Sequence, residues 1–116
     1  MASLSAVKNK DREGWLALFA EDAVVEDPVG PCDWDPEGKG QRGKGAIAAF
    51  YDMFSTFQES LDYEIHHMEV RGSEAAVFLT LHNTMKDGTK ASTKAINIYK
   101  GSPDGKIQSL RSFWNA

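Results

Sequence analysis

Two adjacent carboxylates, Glu26 and Asp27, close the apolar run Ala23-Val24-Val25 and are followed at once by Pro28. Neighbouring residues of an extended strand project to opposite faces, so only one of the pair can point inward. Proline lacks an amide hydrogen and biases the residue before it toward extended conformations, which sets the direction of Asp27. A carboxylate held at the edge of an apolar chamber is a candidate general base. At a plain strand end the same group is solvated and inert. The spacing alone leaves both readings open.

The remaining reactive residue types form no better constellation. His66 and His67 are adjacent, so on a strand they cannot chelate one ion together. His82 alternates with Thr80 and Thr84 and reads either as a satisfied histidine or as a pocket-lining one. Ser109 and Ser112 have no evident His–Asp partnership to make either a nucleophile. Gly38, Gly43 and Lys44 fit the phosphate-loop pattern, but Gly45 stands where a Ser or Thr must reach magnesium, and no strand leads into the loop. Cys32 has no Cys or His at ligand spacing. No metal and no cofactor is expected.

The totals narrow the class. With 116 residues the chain is expected to form one domain with a single core. A net charge of −4 argues against sequence-blind nucleic-acid binding, which needs a basic face. The single cysteine excludes an internal disulfide and fits a reducing compartment. No stretch is apolar enough for a signal peptide or a membrane span, so a soluble, cytoplasmic protein is expected.

The elements that must position Asp27 follow from pattern. Asp11 is an N-cap candidate for a helix carrying Trp15, Leu16, Leu18 and Phe19, and Met1 to Lys10 form a weaker preceding helix. Residues 23–27 are a short strand. Residues 28–45 concentrate prolines and glycines and read as a long irregular loop. From Lys44 to Phe57 the apolar positions Ile47, Phe50, Tyr51, Phe54 and Phe57 recur at helical spacing. Strand-like segments then span 61–70, 74–86, 89–100 and 107–114, joined by hairpin connections. Helices followed by an antiparallel meander make an α+β fold with helices on one sheet face. Trp114 either closes the core or walls a ligand chamber, and the aromatic helix face shares that ambiguity.

The stretch "DREGWLALFAEDAVVEDPVG", the "RGKGAIAAFYD" helix and the final meander together resemble the ketosteroid isomerase branch of the NTF2-like superfamily, which includes SnoaL-like proteins. The resemblance runs from Asp11 to Trp114. It implies a cone-like fold in which a curved sheet wraps the helices around an apolar pocket. It also implies a homodimer through the outer sheet face, where Ile96 and Ile98 would lie. Asp27 matches the family's general base, which shifts a double bond into conjugation with a ketone. Glu26 would then turn outward. The family's first-helix tyrosine has no counterpart, since ungapped register places Ser3 there. Its protonated aspartic acid on the third meander strand corresponds to Asn97, whose amide still donates a hydrogen bond. Phe50, Tyr51 and Trp114 match pocket positions. Thr80, His82 and Thr84 fall on a face that is more apolar in the isomerases, which implies a more polar ligand or a rearranged hydrogen-bond network. The loop 31–41 is longer than the pattern needs. The resemblance thus implies a steroid-like hydrophobic substrate, with weakened isomerisation. The alternatives are a binder of steroid- or polyketide-like molecules, or a polyketide cyclase or epoxide hydrolase on the same scaffold.

Overall fold

In the computed structural model, which describes residues 1–115, two short helices open the chain: α1 (Ala2–Lys8) and α2 (Arg12–Ala17). Asp11 caps α2 as expected, its carboxylate accepting a hydrogen bond from the Gly14 amide at 3.0 Å. Strand β1 covers Phe19–Glu26, and the two-residue β2 covers Gln41–Arg42. Helix α3 runs over Lys44–Ser55. The meander is β3 (Gln58–Arg71), β4 (Glu74–Met85), β5 (Lys90–Gly101) and β6 (Ile107–Phe113).

Three points depart from expectation: Gln41–Arg42, inside the expected irregular loop, pair with Val25 and Val24 of β1; α3 ends at Ser55, short of Phe57; and β1 begins early. Phe19 belongs to β1 and not to the helix before it. The Leu18 carbonyl accepts a hydrogen bond from the Ile107 amide at 2.7 Å, and Phe19 pairs with Ile107 of β6. That long-range pairing draws the chain out of the helix four residues before the apolar run begins. The Phe19 ring is fully buried, edge-on to Trp15 at 4.8 Å.

The six strands form one curved open sheet in the order β2-β1-β6-β5-β4-β3. β3 to β6 are antiparallel neighbours, and β1 lies parallel to β6. The parallel pair places Asp27, just past β1, beside Ser112, since Glu26 pairs with Arg111. Ser112 pairs with Asn97, and Asn97 with Val77. Side chains alternate in register across this sheet. Val77, Leu79, Ala95, Tyr99 and Leu110 therefore face inward and join Leu4, Trp15, Ile47 and Phe50 of the three helices in one core. Phe78, Ile96 and Phe113 face outward and stay 39%, 48% and 41% exposed.

Candidate active site

Three contacts hold Asp27 in place. Past the cis Asp27–Pro28 peptide, the Val29 amide donates to the Ser112 carbonyl at 2.9 Å, tying this turn to β6. Trp34, from the long loop, donates its indole N–H to the Asp27 backbone carbonyl at 2.9 Å. Trp114 donates its indole N–H to Asp27 Oδ1 at 2.6 Å. The loop reaches this position because Gly40 packs directly on β1. A Cβ there would sit 2.8 Å from Glu26 Cγ and 3.1 Å from the Val25 carbonyl oxygen, and its φ of +79° suits glycine.

The two indoles stack at 6.1 Å, Phe54 meets Trp34 edge-on at 5.3 Å, and Phe50 meets Phe54 at 4.9 Å. An aromatic wall thus runs from α3 across the loop to the carboxyl. Burial in these surroundings pushes the Asp27 pKa up from 3.8 to about 6, opposed by the Trp114 hydrogen bond and by the neighbouring Ser112 hydroxyl, which favour the charged form. A carboxyl with that pKa takes and returns a proton close to neutral pH. Glu26 turns the other way, as expected, and accepts a hydrogen bond from Arg111 Nε at 2.6 Å.

Asn97 lies buried on the inner face, one strand beyond Ser112. Its Oδ1 accepts from Ser112 Oγ at 2.5 Å, and its Nδ2 donates to the Tyr99 hydroxyl at 3.3 Å. Asp27, Asn97, Trp114 and Phe50 are therefore brought to one side of the sheet. Tyr51 sits apart from them, tilted against Trp15 at 5.4 Å, with burial raising its phenol pKa and the nearby Arg12 opposing.

His82 is not in this group. It bonds Glu64 and Ser92, both at 2.8 Å, on the outer face of the sheet. The expectation that Thr80, His82 and Thr84 line the chamber is corrected by register: Val77, Leu79 and Leu81 of β4 take the inward positions. Residues not anticipated are Trp34 and Tyr99; Ser112, set aside above as a nucleophile, and Ser3, noted above only at the register of the missing tyrosine, join Asn97 and Tyr99 through hydrogen bonds. A tryptophan in a proline- and glycine-rich loop was the available signal for the first. Tyr99 and Ser112 sit two residues from Asn97 and Trp114, a spacing that shares a strand face.

Two open depressions lie elsewhere. One, about 490 Å³, is bordered by Lys8, Asp62, His82 and Ser92; the other, about 560 Å³, by Glu21, Asp22, Lys44 and Lys106. Both are open to solvent, whereas the Asp27 carboxyl is buried and pushed up by that burial, so the Asp27 cluster is the stronger candidate. Among the described residues no group of three or more His, Cys, Asp or Glu is placed to hold a metal ion, and no helix is long and apolar enough to cross a membrane.

A SnoaL-like domain model matches residues 2–110. Solved structures share the fold over nearly the whole chain. A Delta 5-3-ketosteroid isomerase from Mycobacterium sp. is 38% identical with a TM-score of 0.90, covering 98% of this chain and 88% of that one. RV0760c from Mycobacterium tuberculosis, in complex with estradiol-17beta-hemisuccinate, is 34% identical with a TM-score of 0.89 over the same shares of 98% and 88%. SalBIII, an epoxide hydrolase/cyclase-like enzyme in pyran ring formation in the polyether salinomycin, is 25% identical with a TM-score of 0.81, covering 97% and 84%.

Proposed function

The chain belongs to the SnoaL-like family of the NTF2-like superfamily, and on that premise we propose that it is a steroid delta-isomerase-like enzyme with Asp27 as general base. The observation that carries this reading is the buried Asp27 carboxyl, gripped by the Trp114 indole and raised to about 6. Asp27 removes the proton alpha to the ketone of a β,γ-unsaturated substrate. It returns that proton two carbons away, leaving the double bond conjugated. This is the division of labour established for ketosteroid isomerases, with donors holding the dienolate oxygen. Here Asn97 is one such donor. The first-helix tyrosine is absent, with Ser3 in its place, so turnover is slow compared with an efficient isomerase.

The aromatic wall of Phe50, Trp34 and Trp114 supports a flat, hydrophobic, steroid-like ligand, and the RV0760c complex supports the same class. The exposed Phe78, Ile96 and Phe113 on the outer sheet face support a homodimer. A cytoplasmic location belongs to the same reading. A second reading, a binder or cyclase on this scaffold, is favoured by the missing tyrosine and by the likeness to SalBIII. Isotope exchange at the carbon alpha to the ketone of a β,γ-unsaturated steroid decides between them. Exchange and isomerisation that vanish in Asp27→Asn support the enzyme; steroid binding with no exchange supports the binder.

A further inference from the structure

Asp27 is the proton acceptor at one end of the site. Its counterpart is a row of buried hydroxyls and an amide on the same inner face: Ser112, Asn97, Tyr99 and Ser3. They lie within the core, among Leu4, Val25, Val77 and Leu110. Polar side chains in such surroundings cost free energy unless hydrogen-bonded, and these satisfy one another in sequence. Ser112 Oγ donates to Asn97 Oδ1 at 2.5 Å, Asn97 Nδ2 donates to Tyr99 Oη at 3.3 Å, and Tyr99 Oη lies 2.9 Å from Ser3 Oγ on α1. Among the described residues no buried polar side-chain atom lacks a partner.

Hydrogen counting gives the row a polarity. The four side chains carry five polar hydrogens. The three bonds between them use three. Of the two left over, one is the second amide hydrogen of Asn97 and the other belongs to Tyr99 or Ser3. The row therefore holds more donors than its own acceptors use, and its Ser112 end lies beside a carboxylate that, once ionised, only accepts. That is the arrangement required where negative charge gathers on an oxygen while Asp27 takes a proton. Burial is the largest influence on the Tyr99 phenol and raises its pKa; the Ser3 and Asn97 hydrogen bonds oppose this, and the charge of Asp27 adds to it. Burial thus favours the protonated phenol.

We infer that the Tyr99 hydroxyl, together with the free amide hydrogen of Asn97, receives the carbonyl or phenolic oxygen of the ligand, and that Ser3 sets the direction of the Tyr99 hydroxyl. The inference deepens the proposed function and rests on its placement of the ligand beside Asp27. It makes Tyr99 a catalytic donor supplied by strand β5.

A series of substituted naphthols of graded acidity tests the donor without any turnover. Wild-type protein should bind the more acidic members more tightly. Tyr99→Phe should bind them roughly 10- to 100-fold more weakly, the loss expected for one hydrogen bond to a charged group, and should flatten the dependence on acidity. Ser3→Ala should give a smaller loss of the same kind. Protein labelled with 3-fluorotyrosine provides a second reading that leaves the fold intact: of Tyr51, Tyr63 and Tyr99, the fluorine resonance of Tyr99 should move most, in step with naphthol acidity. If Tyr99→Phe matters here but no steroid is isomerised, the donor stands and only the reaction assigned to Asp27 falls. If isomerisation proceeds while naphthol affinity and the Tyr99 resonance are indifferent, the donor assignment falls alone. Wild-type protein that binds no member of the series also overturns it.

Discussion

The indole N–H of Trp114 donates to Oδ1 of Asp27 at 2.6 Å, joining residues 87 positions apart in the chain. The same contact that fixes the carboxyl also lowers its pKa, while the burial it shares in raises it; burial wins, and the group settles near 6. The protonation of Asp27 is therefore set by two opposed effects that separate mutations can dissect.

Asp27→Asn should cut isomerisation by about 10²–10⁴-fold, the usual contribution of a positioned base. In the wild type the rate should rise with pH to a plateau above about 6, as Asp27 ionises. Stability should respond in the opposite sense. The folded pKa lies above the ordinary value of 3.8, so between about 4 and 6 the native state binds more protons than the unfolded chain, and stability falls as pH rises through that window. At pH 7 the cost is about 3 kcal/mol by linkage. Asp27→Asn should recover part of it, raising the melting temperature at pH 7 and not at pH 4.

Trp114→Phe keeps an aromatic ring and removes the donor. The carboxylate loses its best hydrogen bond, so the midpoint of an NMR titration of Asp27 should move above the wild-type value. A downward movement would show that solvent entry outweighs the lost bond.

Trp34→Ala should act with the opposite sign. Trp34 covers Asp27 through its stack on Trp114 and its bond to the Asp27 carbonyl. Its removal admits water and relieves desolvation, so the Asp27 midpoint should fall toward 3.8. The variant should also lose ~2 kcal/mol in denaturant unfolding, less than a fully buried tryptophan costs.

Two substitutions should leave the pH–rate profile unmoved. Glu26→Gln breaks an ion pair with Arg111 in which the Arg111 side chain is 46% and the Glu26 side chain 19% exposed, and should cost about 1 kcal/mol. His82→Ala removes bonds to Glu64 and Ser92 on the outer face, and ligand affinity measured by titration should not change.

Local patterns were enough for the elements and for the direction of one candidate site residue. The cap at Asp11, the helical recurrence of Ile47 and Phe50, and the alternating segments of the meander all depend on near neighbours, and they reappear as α2, α3 and β3–β6. The inward turn of Asp27 and the outward turn of Glu26 also follow locally, because adjacent strand residues must oppose each other.

Which face of each strand meets the core is a different kind of fact. Alternation in β4 separates Val77, Leu79 and Leu81 from Thr80, His82 and Thr84, but only packing against the helices decides which set meets the core; the aliphatic set does, while Thr80 is covered on the other face, where it bonds His66. The extension of β1 back to Phe19 required Ile107, far along the chain. Trp34 reached Asp27 because Gly40 allowed the loop to lie against β1. The row from Ser112 through Asn97 and Tyr99 to Ser3 spans two strands and a helix. Its members are ordinary polar residues until the sheet's register sets them side by side in a medium where each must find a partner.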